Sequence, residues 1–377
     1  MTAPLGRPIS RIDSLQIGRA IAALIVVASH SVEDLKRLYP KQALASPFPG
    51  GFGVEVFFVI SGFIIWHISR NRTGRISASA DFAWVRIWRI APLYWLSTLL
   101  YVLTATALSA SVNRSNINIV HLISSIFFIP TPDPDGSMLP VLTLGWSLNF
   151  EMFFYFIIAT LLWMRPRSIL CIITILFGAL AFSRPFLPIH SALGFFAQPF
   201  LLEFLAGVWV AELHARSSWR LPPIAIWPIL LTFISVSLVF FMRTGVDKLS
   251  QWEASGGYGP NTFSIPVVII FVLALVLCRS PEKNNLLRRA LVSIGNASYS
   301  LYLLHMFVIR SLEIFAFKIH LSSHIPSILM WILLLLISCY IAWISWAFFE
   351  VPVERFGKRL RPRWLLALRD GAHAPVS

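Results

Sequence analysis

Long apolar runs recur along the whole chain. A helix needs about 20 apolar residues to cross a bilayer, and ten runs meet or approach that length. The pattern therefore predicts ten membrane-spanning helices, at 15–33, 52–69, 90–109, 147–164, 168–183, 196–213, 223–242, 264–279, 297–316 and 327–349. A further apolar stretch, 117–129, is too short to span and is predicted to be an interfacial or re-entrant helix.

Composition agrees with a lipid environment. Of the 377 residues, 57% are hydrophobic and 13% are charged, whereas soluble domains carry about 25% charged residues. We therefore expect an all-α, polytopic membrane bundle forming one domain over 1–377. The ten-helix core is predicted at 12–350 and a basic cytoplasmic tail at 351–377. The first apolar run is interpreted as a retained helix, and the three cysteines lie inside apolar runs, so no disulfide framework is expected.

The distribution of basic residues predicts the orientation of the chain in the membrane. If the N-terminus is cytoplasmic and the helices alternate, 21 Lys and Arg residues fall in inside segments and 8 in outside loops. This ratio fits the positive-inside rule with both termini inside. The net charge of +14 is then explained by orientation and by contact with anionic lipid. Nucleic-acid binding is not expected.

The first predicted helix carries two ionisable residues on one face. Arg19 and His30 are eleven positions apart, which places them within about 20° of one stripe and about 16 Å apart along the axis. Ionisable groups inside spans usually face a protein interior or a water-filled cavity. The pair alone also fits a snorkelling arginine and a structural histidine.

The second and third predicted helices add further charged groups. Glu55 lies in an apolar frame and needs a partner, such as His30 or an arginine. Ser61 and Gly62, in the same block, are interpreted as small residues that permit close helix packing. Two arginines of the third segment have i,i+3 spacing and share a helical face. Such a pair suits phosphate recognition; the alternative is that both are only part of the positive-inside charge. They are Arg86 and Arg89.

Two more segments place polar residues at the start of apolar helices. One begins at Trp146 and includes Ser147, a possible helix cap, followed by Glu151 and Tyr155 on a shared face. In the other, three residues recur every third position and form a polar strip: Tyr299, Tyr302 and His305. Glu350 and Pro352 are predicted to close the last helix, the proline acting as a stop.

Taken together, these residues resemble the membrane acyltransferases of acyltransferase family 3. The resemblance is carried by five motifs. They are Arg19 followed by ten residues and then His30; the Gly53–Phe63 block with Glu55; the pair Arg86 and Arg89 followed by Pro92 and Tyr94; Trp146 and Ser147 through Glu151; and Tyr299 through His305. They occur in the family's order, and the nearest subgroup acetylates exported bacterial polysaccharides.

The resemblance implies an enzyme of the bacterial cytoplasmic (inner) membrane. Such an enzyme transfers an acyl group, usually acetyl, from cytoplasmic acyl-CoA to a sugar hydroxyl of an exported polysaccharide or lipid-linked glycan. It implies that His30 is the essential histidine, that Arg19 is its basic partner, and that Arg86 and Arg89 meet the acyl-CoA. No metal is expected, and no soluble hydrolase-like domain is expected after the last helix.

The residue types suit this chemistry. A histidine can take the proton of a sugar hydroxyl as it attacks a thioester, or it can be acylated first and relay the group; both routes stay open for His30. Glu55 or Glu151 would support it. Expected substrate contacts are Trp146, Ser147, Tyr155, Tyr299, Tyr302 and His305. The alternatives are a flippase of a lipid-linked sugar and a scaffold subunit of an export machine.

Overall fold

A computed structural model describes residues 13–42, 50–107, 118–216 (except 134 and 189), 264–277, 285–321 and 324–362, with five isolated positions between 217 and 263. Every regular element within these ranges is helical. The helices are α1 (Asp13–Leu38), α2 (Gly50–Ser69), α3 (Ile76–Ala107), α4 (Ile119–Ile126), α5 (Trp146–Leu161), α6 (Pro166–Ser183), α7 (Ala192–Phe196), α8 (Phe200–Arg216), α9 (Ser264–Leu277), α10 (Leu286–Asn296), α11 (Ser298–Lys318), α12 (Ser327–Ser345) and α13 (Val351–Arg359).

Six of the described helical segments are long and apolar enough to cross a membrane. They are Asp13–Leu38, Gly50–Arg72, Thr143–Leu161, Pro166–Phe186, Ser298–Lys318 and Ser327–Arg359. Three further predicted spans coincide in position with α3, α8 and α9, and the predicted span 223–242 lies almost wholly outside the described residues. The chain is therefore a multi-pass membrane protein, while ten spans and the location of the termini stay predictions.

The outward faces of the bundle are apolar. Along α6 and α12, side chains such as Phe182, Ile175 and Leu336 are largely exposed. Water would not tolerate a continuous surface of this kind, whereas lipid chains solvate it without cost. The all-helical architecture satisfies the other demand of a bilayer, because a helix pairs its own backbone polar groups.

The helices differ from those predicted in three places. Helix α3 begins at Ile76 instead of residue 90, and α10 occupies a segment that was predicted to be a loop. The side chain of Asn285 caps α10 by accepting a hydrogen bond of 2.9 Å from the backbone N–H of Arg288. The predicted stop at Pro352 is wrong: a widened π turn at Trp346–Glu350 leads into α13, and Pro352 falls in its first turn, where no donor is needed.

Helix α1 lies at the centre of the bundle. It packs against α2, α9, α10, α11 and α12, and its contact faces are built from small side chains such as Ala20, Ala22 and Ala23, which are fully buried. Small residues let helix backbones approach closely in lipid, where dispersion forces and hydrogen bonds drive association. The helix that carries Arg19 and His30 is thus surrounded by protein.

Helices α2 and α8 cross at two glycines. A Cβ atom at Gly62 would overlap the carbonyl oxygen of Phe204, and one at Gly207 would overlap that of Val59. The prediction that Gly62 permits close helix approach is therefore confirmed. This crossing holds α2 in place, and α2 supplies one wall of the cavity described below.

Substituting Gly207 tests how tightly this crossing is packed. We expect Gly207→Ala to destabilise the protein by about 1–3 kcal/mol, because the added methyl group overpacks a backbone contact. Gly178→Ala on α6 is the matched control, since a Cβ there meets nothing within 4 Å. Thermal unfolding of both variants in the same detergent measures the difference, and equal melting temperatures would contradict the assignment.

Candidate active site

A cavity in the bundle is lined by α1, α2, α3, α5 and α11. It joins eight of the twelve site residues expected from the sequence: Arg19, Arg86, Arg89, Ser147, Glu151, Tyr155, Tyr299 and Tyr302. These residues come from segments far apart in the chain. The polar face predicted for each segment therefore borders the same cavity. Three arginines and one glutamate line the cavity among the described residues. This excess of positive charge favours an anionic ligand.

Glu151 is the hydrogen-bonding centre of the cavity. Its Oε1 atom accepts hydrogen bonds from the Tyr155 hydroxyl and, at 3.2 Å, from the Ser61 hydroxyl. Ser61 also lines the cavity, so interpreting this serine as a packing residue alone was wrong. The available indication in the sequence was the position of Ser61 on α2, in the same block as Glu55 and Gly62.

Arg86 is held by aromatic rings. Its guanidinium carbon lies 5.6 Å from the ring centroid of Phe82 and 5.7 Å from that of Tyr155, a geometry that stabilises a buried cation. Only 9% of Arg86 is exposed, and its Nε atom has no hydrogen-bond partner in the described part of the chain. Arg89 lies 3.8 Å from Glu354. The cavity thus contains a buried guanidinium with unused donor capacity.

The other end of the cavity closes on Tyr302. Its hydroxyl lies 2.8 Å from the Ser147 hydroxyl and 3.0 Å from the carbonyl oxygen of Leu144, which can only accept. The Ser147 hydroxyl lies 3.4 Å from the same carbonyl, so the two hydroxyls share one acceptor. Nearby, the Tyr299 hydroxyl donates to the carbonyl of Ile90 at 2.6 Å. Both tyrosines are thereby fixed in orientation.

Beyond Tyr302, two histidines from different helices meet. The Nδ1 atom of His30 on α1 lies 2.9 Å from the Nε2 atom of His305 on α11, and the two rings stack with centroids 5.1 Å apart. His305 is fully buried and its ring lies 6.3 Å from that of Tyr302. No sequence pattern indicates that these histidines pair, because 275 positions separate them.

The hydrogen bonds assign a tautomer to each histidine. The Nδ1 atom of His305 lies 2.8 Å from the Tyr302 carbonyl and 3.1 Å from the Leu301 carbonyl. Since carbonyl oxygens only accept, the Nδ1 atom carries a proton and the neutral ring keeps its Nε2 lone pair. That lone pair accepts from Nδ1–H of His30. In the neutral pair, the Nε2 atom of His30 therefore carries the free lone pair that a base or nucleophile needs.

Four of the twelve expected site residues are not part of the cavity lining: the paired His30 and His305, and also Trp146 and Glu55. Trp146 packs against aromatic rings, with centroids 5.1 Å from Phe200 and 6.1 Å from Phe58. Glu55 is buried on α2, close enough to buried Glu203 of α8 for their charges to interact. Glu203 was missed, because nothing in an apolar stretch reveals which helix it faces.

The start of α11 is tied to the end of α12. Buried Glu350 accepts a hydrogen bond of 2.9 Å from the backbone N–H of Ser300 and another from the Ser300 hydroxyl. This confirms a structural role for Glu350, through a different contact from the predicted end cap. The tie fixes the first turn of α11, from which Tyr299 and Tyr302 reach the cavity. Within the described ranges, no group of three or more His, Cys, Asp or Glu residues is arranged to hold a metal ion.

The fold and site define a class: a multi-pass helical membrane protein with an arginine-rich internal cavity and, beside Tyr302 of the cavity wall, a histidine pair. The sequence model of the acyltransferase 3 family, described as an acyltransferase domain, matches residues 12–347. The chain therefore belongs to this family and is an acyltransferase.

Individual relatives agree with this assignment. The chain is 35% identical to the exopolysaccharide production protein ExoZ of Rhizobium meliloti, over 69% of this chain and 77% of that protein. It is 28% identical to a putative O-acetyltransferase of Staphylococcus aureus over 90% of this chain, and 26% identical to the O-acetyltransferase OatA of the same species over 82%. The chain spans about half the length of these two staphylococcal proteins. No solved structure matches.

The contact between Glu350 and Ser300 can be tested by truncation. We expect Glu350→Ala to destabilise the protein by about 1–3 kcal/mol, because two buried donors lose their acceptor. Glu33→Ala removes a carboxylate from an exposed pair with Lys36 and should cost less than about 1 kcal/mol. Chemical unfolding of both variants in detergent provides the comparison, and similar losses would refute the special role of Glu350.

Proposed function

We propose that this enzyme transfers an acyl group, normally acetyl, from cytoplasmic acyl-CoA to a sugar hydroxyl of an exported polysaccharide or a lipid-linked glycan. It acts in the bacterial inner membrane with both termini in the cytoplasm. The observation that carries the proposal is the His30–His305 pair next to Tyr302, a residue that lines the arginine-rich cavity. The names of the relatives, which include exopolysaccharide production and O-acetyltransferase, support the acceptor and the acyl group.

His30 is the reacting residue in this proposal. Its free Nε2 lone pair takes the proton of the sugar hydroxyl, and the sugar oxygen attacks the thioester carbonyl. The C–S bond then breaks, and the leaving thiolate receives a proton. In the relay route, Nε2 itself attacks the thioester and the sugar then attacks the acyl-imidazole. Both routes use the same nitrogen atom, so both need the tautomer that His305 imposes.

The remaining site residues have roles in binding and orientation. Arg86 and Arg89 attract the anionic donor, and Arg19 lines the same cavity on α1, the helix that also carries His30. Glu151, with Tyr155 and Ser61, supplies a polar wall. Because Glu151 bonds to these hydroxyls and His30 bonds to His305, we assign the support of His30 to His305. An extended pantetheine arm of about 15–20 Å is comparable with the axial rise of about 16 Å between Arg19 and His30.

Replacing the reacting histidine tests the central step. We expect His30→Ala to lower acetyl transfer by about 10²–10⁴-fold, the usual contribution of a general base or nucleophile. The assay uses purified protein, labelled acetyl-CoA and the surface glycan of the source cells, with NMR of O-acetyl signals in vivo. His121→Ala serves as a control, since this histidine bonds to the Leu139 carbonyl and does not line the cavity. Normal acetylation by His30→Ala would refute the assignment.

His305 should act as a positioning residue. We expect His305→Leu to lower kcat by about 10²-fold, because His30 loses the acceptor that fixes its ring, while KM for acetyl-CoA changes little. His305→Gln keeps an amide oxygen that can accept from His30, and it should restore much of the rate. If the leucine and glutamine variants fall equally in kcat, or if only KM changes, the positioning role is wrong.

A further inference from the structure

A second, water-accessible pocket opens beside the internal cavity. Its walls are formed by the turn between α2 and α3, by the N-terminal part of α3, and by the end of α13 with the residues just after it. Five cationic side chains and one carboxylate line it: Arg72, Arg75, Arg86, Lys358, Arg361 and Asp81. None of the sequence motifs includes Arg72, Arg75, Lys358 or Arg361 as a site residue.

The positive charge of this pocket is largely unneutralised. Asp81 pairs with Arg361 at 3.0 Å, so the single carboxylate is already used. In the described part of the chain, Arg72, Arg75 and Lys358 form no ion pair. The Nε atom of buried Arg86 has no hydrogen-bond partner there either. These like charges repel one another, and the binding of an anion with several charges would relieve that repulsion.

The walls of the pocket are fixed by hydrogen bonds. The backbone N–H of Gly74 donates to the carbonyl of Leu162 at 2.8 Å, and the glycine has a φ of +88°, which other residues rarely adopt. On the opposite wall, the indole N–H of Trp84 donates to the carbonyl of Gly357 at 2.8 Å. The cationic side chains are therefore attached to backbone segments that hydrogen bonds keep in place, as a binding site requires.

Arg86 connects this pocket to the internal cavity, because it lines both. Its guanidinium carbon lies 5.6 Å from the ring centroid of Phe82, which lines the outer pocket, and 5.7 Å from that of Tyr155, which lines the inner cavity. Arg86 is therefore the residue at which a ligand in the outer pocket would adjoin the inner cavity.

We infer that this pocket binds the phosphate groups of the acyl donor, a nucleoside 3′-phosphate 5′-diphosphate joined to a thioester arm. The inference rests on the proposed function and deepens it: Arg72, Arg75 and Lys358 hold the phosphates, and Arg86 marks where the arm enters the cavity. Guanidinium groups bind phosphate through paired hydrogen bonds, and three phosphates match a pocket with this excess of cations. An anionic lipid headgroup shares the same chemistry.

Binding of coenzyme A to the full chain in nanodiscs of zwitterionic lipid tests the inference. The Kd values of coenzyme A and of pantetheine, which lacks all phosphates, are measured for the wild type, Arg75→Gln, Lys358→Gln and a control, Arg167→Gln. Arg167 is exposed at the start of α6 and outside the pocket. Arg75 and Lys358 lie on opposite walls, so one locally disturbed wall would not affect both variants.

We expect each pocket variant to weaken coenzyme A binding by about tenfold or more, the usual effect of losing one charge-assisted contact. The affinity for pantetheine and the behaviour of Arg167→Gln should not change. If the wild type binds coenzyme A and both pocket variants bind it equally well, the pocket assignment is wrong and the proposed donor stands. If the wild type binds no coenzyme A, the donor proposal fails as well. If anionic lipid in the nanodiscs abolishes coenzyme A binding by the wild type while pantetheine binding persists, the pocket is a lipid-headgroup site and the assignment to the donor phosphates is wrong.

Discussion

The hydrogen bond between His30 and His305 depends on how closely α1 approaches α11. The two helices meet through a small apolar cluster that includes Ala23 and Val27 of α1 and Leu301 of α11. Any bulkier residue at Ala23 would separate the two rings, because a hydrogen bond between imidazoles tolerates only a few tenths of an ångström. The backbone carbonyls of α11 then set the tautomer of His305, and His305 sets that of His30. In the proposed reaction, helix packing therefore determines which nitrogen atom of His30 is free to react.

Burying polar groups in a lipid-facing bundle imposes a second constraint. Each group must find a partner within the protein, since hydrocarbon offers none. Most groups in the cavity have one: Glu151 accepts from two hydroxyls, and Tyr299 and Tyr302 donate to backbone carbonyls. Among the described residues, the exceptions include the Ser298 hydroxyl and Arg86, whose guanidinium lies near two aromatic rings and whose Nε atom has no partner. A bound ligand would supply the partner that the buried Arg86 cation lacks.

The sequence predicted the helices where apolar runs are long and isolated, and it predicted shared faces where spacing alone decides them. Arg19 and the pair Arg86 and Arg89 reach one cavity for that reason. It failed where tertiary contacts decide. The early start of α3 and the continuation past Pro352 arise from packing between α3 and α13, as in the bond from Trp84 to Gly357. The partner of His30 lies on another helix, and no helical period relates two segments so far apart.

The distribution of charge along α1 gives the site a direction. Arg19 lies in a cavity whose lining carries three arginines, and the cationic pocket adjoins that cavity at Arg86. Toward the other end of α1, the pair of His30 and His305 is neutral in the tautomers assigned here. In the proposed reaction, a polyanionic donor would be stabilised near the arginines, whereas an uncharged sugar hydroxyl would need a free imidazole lone pair and no cations. The same helix would then separate the two proposed substrates by their charge, and the acyl group would be the one part of the donor neutral enough to pass from one region to the other.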